Sequence, residues 1–391
     1  MRKTFLDLGM QPLANNFSTK YISPSFRLKV KFDTNSKLVM INKHVKKEKM
    51  FNKSYPYRSS KSKLVEKLFR ELSKKIKEKF KPKNILEIGC NDGTFASNFN
   101  KRNITCIEPC GDVAVEAKKK GLKVYVEYFD DLLVKKLKKD HKKFDMIFSA
   151  NTITHISDIN SVFLNVAKIL SDNGTFIVEE PSLLETIKKN SYDQFYNEHI
   201  YVFSTIAVKN IVEKYGFEIF DIKNLTTHGG STRYYIKRKI NNKIKVKKTV
   251  FNQIKKETLY GLNKFQTYRK FANNVKISKN KLVNILKKVK EDNKKIIGYG
   301  STAKSVTVLN YCHINRNLIP LFTDITPEKV NKYVPGTNIK VIKYNKNLLN
   351  SYDYVFLGAW NFKKEILEKE KKFIKKGLKF ITHVPRPMIL K

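Results

Sequence analysis

Cysteine is scarce in this chain. The four residues, Cys90, Cys106, Cys110 and Cys312, include no C-x-x-C pair, so neither a disulfide framework nor a zinc ribbon is indicated and buried free thiols are expected. Acidic residues are few as well: 35 against 79 Lys and Arg in 391 residues, a formal net charge of +44. Such a balance points first to a polyanion partner. Arginine is the scarce basic residue, however, at ten of the 79, and the lysines run along the whole chain rather than in one patch, as on a solvated surface. No nucleic-acid partner is therefore expected, while the charge suits attraction of a phosphorylated small substrate. No uninterrupted apolar run approaches the length of a membrane span, and the start, Met1-Arg2-Lys3-Thr4-Phe5-Leu6-Asp7, lacks the apolar stretch of a signal peptide. The expectation is a cytoplasmic enzyme without a membrane partner. What is present is an apolar fraction of 41% with 12% aromatics, in a chain long enough for two or three domains.

The stretch Asn84-Ile85-Leu86-Glu87-Ile88-Gly89-Cys90-Asn91-Asp92-Gly93-Thr94-Phe95 organises the rest. A short apolar run with an acid near its end, breaking into a glycine-bounded turn, reads as the first βα unit of a nucleotide-binding sheet. Gly89 lets the backbone turn sharply, and Gly93 lets a following helix start close to a ligand. The spacing, E-x-G-x-x-x-G, is one step from the G-x-G-x-x-G that clamps a pyrophosphate. A ligand without phosphates, such as S-adenosylmethionine, needs a carboxylate near its cationic groups instead, and Glu87 or Asp92 would supply it. The next strand, Ile104-Thr105-Cys106-Ile107, ends in Glu108, an acid where ribose hydroxyls are held in such folds.

The first sixty residues carry turn-rich and aromatic patches, with strand-like alternation from Lys29 to Asn42, and read as a small β-rich cap. A helix is predicted from Lys63 to Phe80. From Asn84 to Glu180 strand and helix alternate, which argues for a parallel sheet. Its fourth strand, Phe144 to Ala150, ends in Asn151-Thr152-Ile153-Thr154-His155, on the rim where open α/β sheets bind ligands. Tyr196, Glu198 and His199 then place a phenol, a carboxylate and an imidazole in one short aromatic segment; an imidazole oriented by a carboxylate is a general base near neutral pH. A surface loop before an N-capping Ser204 fits the spacing equally. His228-Gly229-Gly230-Ser231-Thr232-Arg233 reads either as an anion or sugar contact or as a β-turn. A Lys-rich helical stretch from Lys245 to Asp292 leads to a second α/β unit, in which Gly298-Tyr299-Gly300 turns into a helix carrying Lys304. Backbone N–H groups at such a start bind phosphate.

The set Leu6 to Asn15, Tyr55-Pro56-Tyr57-Arg58-Ser59-Ser60, Glu87 to Gly93, Tyr196-Asn197-Glu198-His199, His228-Gly229-Gly230-Ser231, Gly298-Tyr299-Gly300, Val334-Pro335-Gly336-Thr337 and Ala359-Trp360-Asn361-Phe362 resembles the sugar C-methyltransferases, in order over nearly the whole chain. These are S-adenosylmethionine enzymes that methylate a ring carbon of nucleotide-linked keto-deoxysugars. The resemblance implies an N-terminal domain over 1–62 of a zinc-binding type, a central Rossmann-like methyltransferase domain over 63–240, and a Rossmann-like α/β domain over 241–391 that helps hold the nucleotide sugar. The family's zinc cysteines precede Leu6 and recur where this chain has Asp33 and Ser36, so no structural zinc is expected.

By the same resemblance, His199 is the base, with Tyr196 and Glu198 beside it to orient it or to stabilise an enolate, and Tyr57 and His155 as candidates for acid or enolate-stabilising roles. Glu87, Gly89, Asn91, Asp92, Gly93, Glu108 and Asn151 are the candidates for holding the cofactor; His228, Arg233, Gly300 and Lys304 for the nucleotide-diphosphate keto-sugar. The chain is expected as a monomer or homodimer. Two rival readings are an RNA methyltransferase, suggested by the charge, and a degenerate paralogue that binds a nucleotide sugar without catalysis, suggested by the missing zinc ligands.

Overall fold

A computed structural model describes residues 1–21, 23–42, 45–51, 55–140 and 143–390. It is built on three sheets. The N-terminal part contributes β1 (Arg2–Pro12), β2 (Ser25–Asp33) and β3 (Val39–Ile41), antiparallel throughout, with Leu6 opposite Val30 and Val30 opposite Ile41. Leu28, Val30 and Phe32 are buried while Arg27, Lys29 and Lys31 alternate with them, the period of a strand with one wet face. The middle of the chain forms β4 (Ile85–Ile88), β5 (Ile104–Ile107), β6 (Lys123–Tyr125), β7 (Phe144–Ala150), β8 (Leu170–Pro181), β9 (Tyr201–Val202), β10 (Phe217–Leu225) and β11 (Ser231–Arg238).

Seven of these make the central sheet in the order β10-β11-β8-β7-β4-β5-β6. Strands β4 to β8 are parallel, and β11 runs antiparallel to both β8 and β10. The chain winds outward from β4 in both directions, so the order reverses between β4 and β7 and leaves a crevice at their carboxyl ends. The two-residue β9 joins the N-terminal sheet instead, pairing Val39 with Val202. That pairing brings the segment just before it, Tyr192 to Ile200, under the N-terminal sheet.

The helix Lys63–Lys79, capped by Ser62, begins and ends within a residue of its expected bounds. The helix expected after Gly93 is only a 3-10 turn, Ala96–Asn98. Ser97 Oγ donates to the Gly93 carbonyl at 2.7 Å and Asn98 Nδ2 to those of Thr94 and Phe95 at 3.0 Å each; side chains that bond back to the backbone compete with a helical ladder. The Lys-rich stretch is two helices, Lys248–Tyr260 and Phe265–Glu291, parted at Gly261, which takes a left-handed φ of 85° as a C-cap.

The C-terminal part adds β12 (Ile296–Tyr299), β13 (Leu321–Asp324), β14 (Lys340–Lys343), β15 (Tyr354–Leu357), β16 (Lys379–Thr382) and β17 (Met388–Leu390), ordered β14-β13-β12-β15-β16-β17 with only β17 antiparallel among the described strands. The three parts share one core. Tyr268 of the long helix stacks on Phe32 at 4.5 Å between ring centroids and lies 5.0 Å from Phe5, and the helix Ala303–Tyr311 packs against β1.

Candidate active site

At the end of β4, Gly89 has a φ of +73°, and a Cβ there would stand 2.2 Å from Thr152 Oγ1. The turn after β4 therefore lies directly on the turn after β7, an approach only glycine allows. Beside these turns opens a cavity of about 560 Å³. Glu87, Gly89, Asn91, Glu108, Asn151 and His155 line it from the sheet, Tyr55 and Tyr57 from the N-terminal segment, and His228 from the loop before β11.

The acids here are held in different ways. Glu108 accepts the Asn91 and Cys110 amides at 2.9 Å each, and burial still raises its pKa. Glu87 is 4% exposed, and one of its carboxylate oxygens has no hydrogen-bond partner among the described residues. Burial, followed by the neighbouring Cys106 and Asp92, holds its carboxyl well above the usual range. Asn151 Oδ1 is likewise buried without a partner. Buried acceptors left without donors cost free energy, and a cationic ligand carrying N–H groups would satisfy both.

Asn91 and Asp92 serve the fold at the same place. Asn91 Oδ1 accepts the Ser59 amide at 2.8 Å, its Nδ2 donates to the Tyr57 carbonyl at 3.2 Å, and Asp92 accepts the Ser60 amide at 3.0 Å. Together they strap residues 57–60, and with them Tyr57, across the glycine turn. Asp92 is fully buried beneath the cavity. Gly93 sits behind it, where a Cβ would meet Leu122 at 2.5 Å.

His199 lies one ring behind the cavity wall, 5.2 Å from His155 between ring centroids. Its Nδ1 is 2.9 Å from the Gln194 carbonyl oxygen. A carbonyl only accepts, so Nδ1 carries the proton and Nε2 presents its lone pair. The Tyr196 hydroxyl donates to that Nε2. Burial holds the His199 pKa well below its ordinary value, with the neighbouring His155 and Lys304 adding to the effect; burial pushes His155 down to about 4. Both rings are neutral at pH 7. His155 is itself fixed by Nδ1, 2.6 Å from the Glu198 carbonyl.

The carboxylate partner expected for His199 is not where the spacing suggested. Glu198 turns its carboxylate to Asn15, whose backbone N–H donates at 3.3 Å and whose side-chain amide donates as well. Asn197 Nδ2 donates to the carbonyls of Gln11 and Pro12 at 3.1 Å each. The donors and acceptors at the end of β1 are buried and need partners, and these two side chains supply them. Burial pushes Glu198 up to about 7, opposed by the Asn15 hydrogen bonds.

Of the expected substrate residues, His228 lines the cavity with a φ of 54°. Its carbonyl accepts from Gln194 Nε2 at 2.6 Å, so one glutamine braces both this turn and His199. Arg233 is outside the cavity: its Nε and Nη2 donate to Glu179 at 2.9 and 2.7 Å across β11 and β8, with both side chains 3% exposed. Gly300 packs its turn onto Ala359, which a Cβ would approach to 2.5 Å. The amides beyond it are engaged, Ser301 with Asp324 at 2.8 Å and Thr302 with Ser305 in a capping box. Lys304, in the first turn of Ala303–Tyr311, is 8% exposed, and burial lowers its pKa.

Sequence reasoning missed three supporting residues. Glu180, at the end of β8, accepts the amides of Thr152, Ile153 and Thr154 at 3.2, 2.8 and 3.3 Å and so holds the loop that carries Asn151 and His155; an acid at a strand's carboxyl end was its one visible signal. Asp193 accepts from Trp360 Nε1 at 2.5 Å and His383 Nε2 at 3.1 Å, pinning the C-terminal part to the turn before Tyr196. Gln194 acts largely through its carbonyl, which leaves no trace in a residue pattern.

Residues 57–222 match the model of the family described as methyltransferase domain, and residues 226–385 that described as C-methyltransferase C-terminal domain. The chain is 26% identical over 308 residues to C-methyltransferase NovU of Streptomyces niveus, a match covering 78% of this chain and 73% of that protein. Magnesium protoporphyrin IX methyltransferase of Synechocystis PCC 6803, solved with bound S-adenosylmethionine, is 10% identical over 44% of this chain and 79% of its own, with a TM-score of 0.34. An S-adenosylmethionine-dependent methyltransferase of Clostridium acetobutylicum is 14% identical over 44% of this chain and 91% of its own, with a TM-score of 0.35. With a methyltransferase-domain match followed by a C-methyltransferase C-terminal-domain match, and a glycine turn set at the reversal of the central sheet, the chain is an S-adenosylmethionine-dependent methyltransferase that carries a C-terminal domain of the C-methyltransferase type.

Proposed function

We propose that the chain methylates the ring carbon beside the keto group of a nucleotide-linked deoxyhexose, through an enolate formed by His199. The supporting observation is a neutral imidazole whose tautomer is set by the Gln194 carbonyl and whose Nε2 lone pair, shared with the Tyr196 hydroxyl, stands one ring from the cavity that begins at Gly89.

Glu87 and Asn151, with their unpartnered buried oxygens, would take the cationic amino-acid end of S-adenosylmethionine, and Glu108 its ribose hydroxyls. The cofactor supplies a methyl group made electrophilic by a sulfonium. The Tyr196 hydroxyl takes the proton from the carbon beside the ketone as it gives its own to His199 Nε2, so that the proton ends on that nitrogen; burial keeps the ring free of charge until then. Tyr57, which lines the cavity, is placed to donate toward the carbonyl oxygen as charge develops there, whereas His155, whose Nδ1–H donates to the Glu198 carbonyl, lines the cavity as an acceptor. His228 lies on the sugar's side of the cavity, and the C-terminal turn at Gly300 toward the nucleotide. Holding donor and acceptor carbon in line is worth several kcal/mol, on the order of 7–11 in well-oriented systems, which is the use of a cavity between the central sheet and the N-terminal segment.

The test is incubation with labelled S-adenosylmethionine and a panel of nucleotide-linked keto-sugars, read by mass. Gain of one methylene mass on a keto-sugar, and none on its reduced alcohol, is expected; label appearing on no keto-sugar in the panel, or appearing equally on the alcohols, would contradict the proposal.

A further inference from the structure

The wall behind His199 contains a cation without an ion-pair partner among the described residues. Lys304 is more than nine-tenths buried, and among the described residues its ammonium has no hydrogen bond and no carboxylate within ion-pair distance. Asp193 is the acid whose charge reaches it; its Oδ2 accepts from Trp360 and His383 and its Oδ1 is buried without a partner among the described residues, yet the two groups do not come within ion-pair distance. The helix that carries Lys304 packs on the turn Tyr192–Gln194, the turn whose last carbonyl fixes the His199 tautomer. The Lys304 charge is felt at His199 and at His228. Gln194 Oε1, on that turn, and Thr227 Oγ1, beside His228, are buried without partners among the described residues. A desolvated, unpaired ammonium is unfavourable enough that folds keep one where an anion arrives during function.

We propose that Lys304 is a catalytic residue, the counter-charge for the oxyanion that forms on the substrate when His199 takes the proton beside the ketone. This rests on the C-methylation reading above. In that step the C–H bond breaks, its electron pair becomes the carbon–carbon π bond, the carbonyl π pair moves onto oxygen, and the proton ends on His199 Nε2. The enolate pair then forms the bond to the methyl carbon as the ketone is restored, and the old carbon–sulfur pair stays on sulfur. A cation beside both the base and the nascent oxyanion serves twice: it keeps the ring unprotonated beforehand and stabilises the charge afterwards. The C-terminal part of the chain then contributes to the chemistry as well as to binding.

The diphosphate of the substrate is the other source of an anionic oxygen, and the experiment separates the two. Wild type, Lys304→Met and Lys304→Arg are compared for exchange of the proton beside the ketone in D2O with S-adenosylhomocysteine present, and for affinity toward uridine and thymidine diphosphate alone. Lys304→Met is expected to slow exchange by about 10²-fold or more, to leave diphosphate affinity within about twofold, and to move the acid limb of kcat/KM to higher pH, since losing the cation raises the His199 pKa. Lys304→Arg, which keeps the charge, restores most of the exchange, and ethylamine partly rescues Lys304→Ala. Exchange at the wild-type rate in Lys304→Met, or loss of diphosphate affinity with exchange at saturating substrate unchanged, would overturn the assignment. Wild-type enzyme that neither exchanges nor methylates any keto-sugar would instead overturn the reading beneath it.

Discussion

His199 is a neutral ring at pH 7 because water has been taken from it. A carboxylate at Nδ1 would raise its pKa and favour the charged form, whereas the Gln194 carbonyl sets the tautomer without adding a negative charge. Its neutral form accordingly persists below the ordinary pKa of about 6.5, and the acid limb of activity is expected on that side. Glu198, freed from that task, bears on stability. Its folded pKa, about 7, lies above its ordinary 4.5, so its contribution is full below pH 4.5 and is lost as pH rises through about 7. His155 and His228, pushed down to about 4 and about 3, work in the opposite sense: their contribution is full above the ordinary pKa of 6.5 and is lost as pH falls. Glu198→Gln, which keeps an acceptor for Asn15, should therefore make the fall in melting temperature between about pH 5 and 7.5 shallower, by about 1–3 °C, and leave the acid limb alone. An unchanged slope above pH 5 would refute this account of Glu198.

Among the elements, the turn after β4 carries the cofactor reading. An alanine at Gly89 would need a left-handed φ, at a cost of roughly 1 kcal/mol, and would drive its Cβ into Thr152. Gly216 offers a control, with nearly the same φ of +74° and nothing within 4 Å of its Cβ. Gly89→Ala should weaken S-adenosylmethionine by about tenfold or more in calorimetry, equivalent to roughly 1.4 kcal/mol, while Gly216→Ala lowers only the melting temperature; equal affinities in the two variants would remove the turn from cofactor binding. This turn was legible in sequence because its signals are local: an apolar run, two glycines and an acid one strand later. The helix expected after Gly93 was not, since Ser97 and Asn98 look tolerable in a helix until their side chains are seen bonded to the preceding carbonyls. The Lys-rich stretch reads as one helix because a single glycine, Gly261, gives little warning of a left-handed C-cap. A two-residue strand such as β9 has no pattern at all, and its partner Val39 is far away in sequence.

Across the whole molecule, the site is assembled by parts distant along the chain. Asn15 and Gln11 of the N-terminal sheet fix Glu198 and Asn197, Glu180 of the central sheet holds the His155 loop, and Trp360 and His383 of the C-terminal part pin Asp193. The residue types of the site were visible in sequence, with His199 and Tyr196 in one segment, but their surroundings were not, because carbonyls and long-range contacts supply them. The basic charge remains largely a property of the surface; among the described residues Arg233 and Lys237 are buried against Glu179 and Glu218, and Lys304 is buried without an ion pair. The central claim is that His199 removes a proton and does not hold the cofactor. Its most direct test is methyl transfer by His199→Ala on the keto-sugar that wild type methylates, with S-adenosylmethionine saturating as set by calorimetry on the same variant. The expected result is a rate lower by about 10²–10⁴-fold with cofactor affinity within about twofold; methyl transfer at the wild-type rate would contradict it.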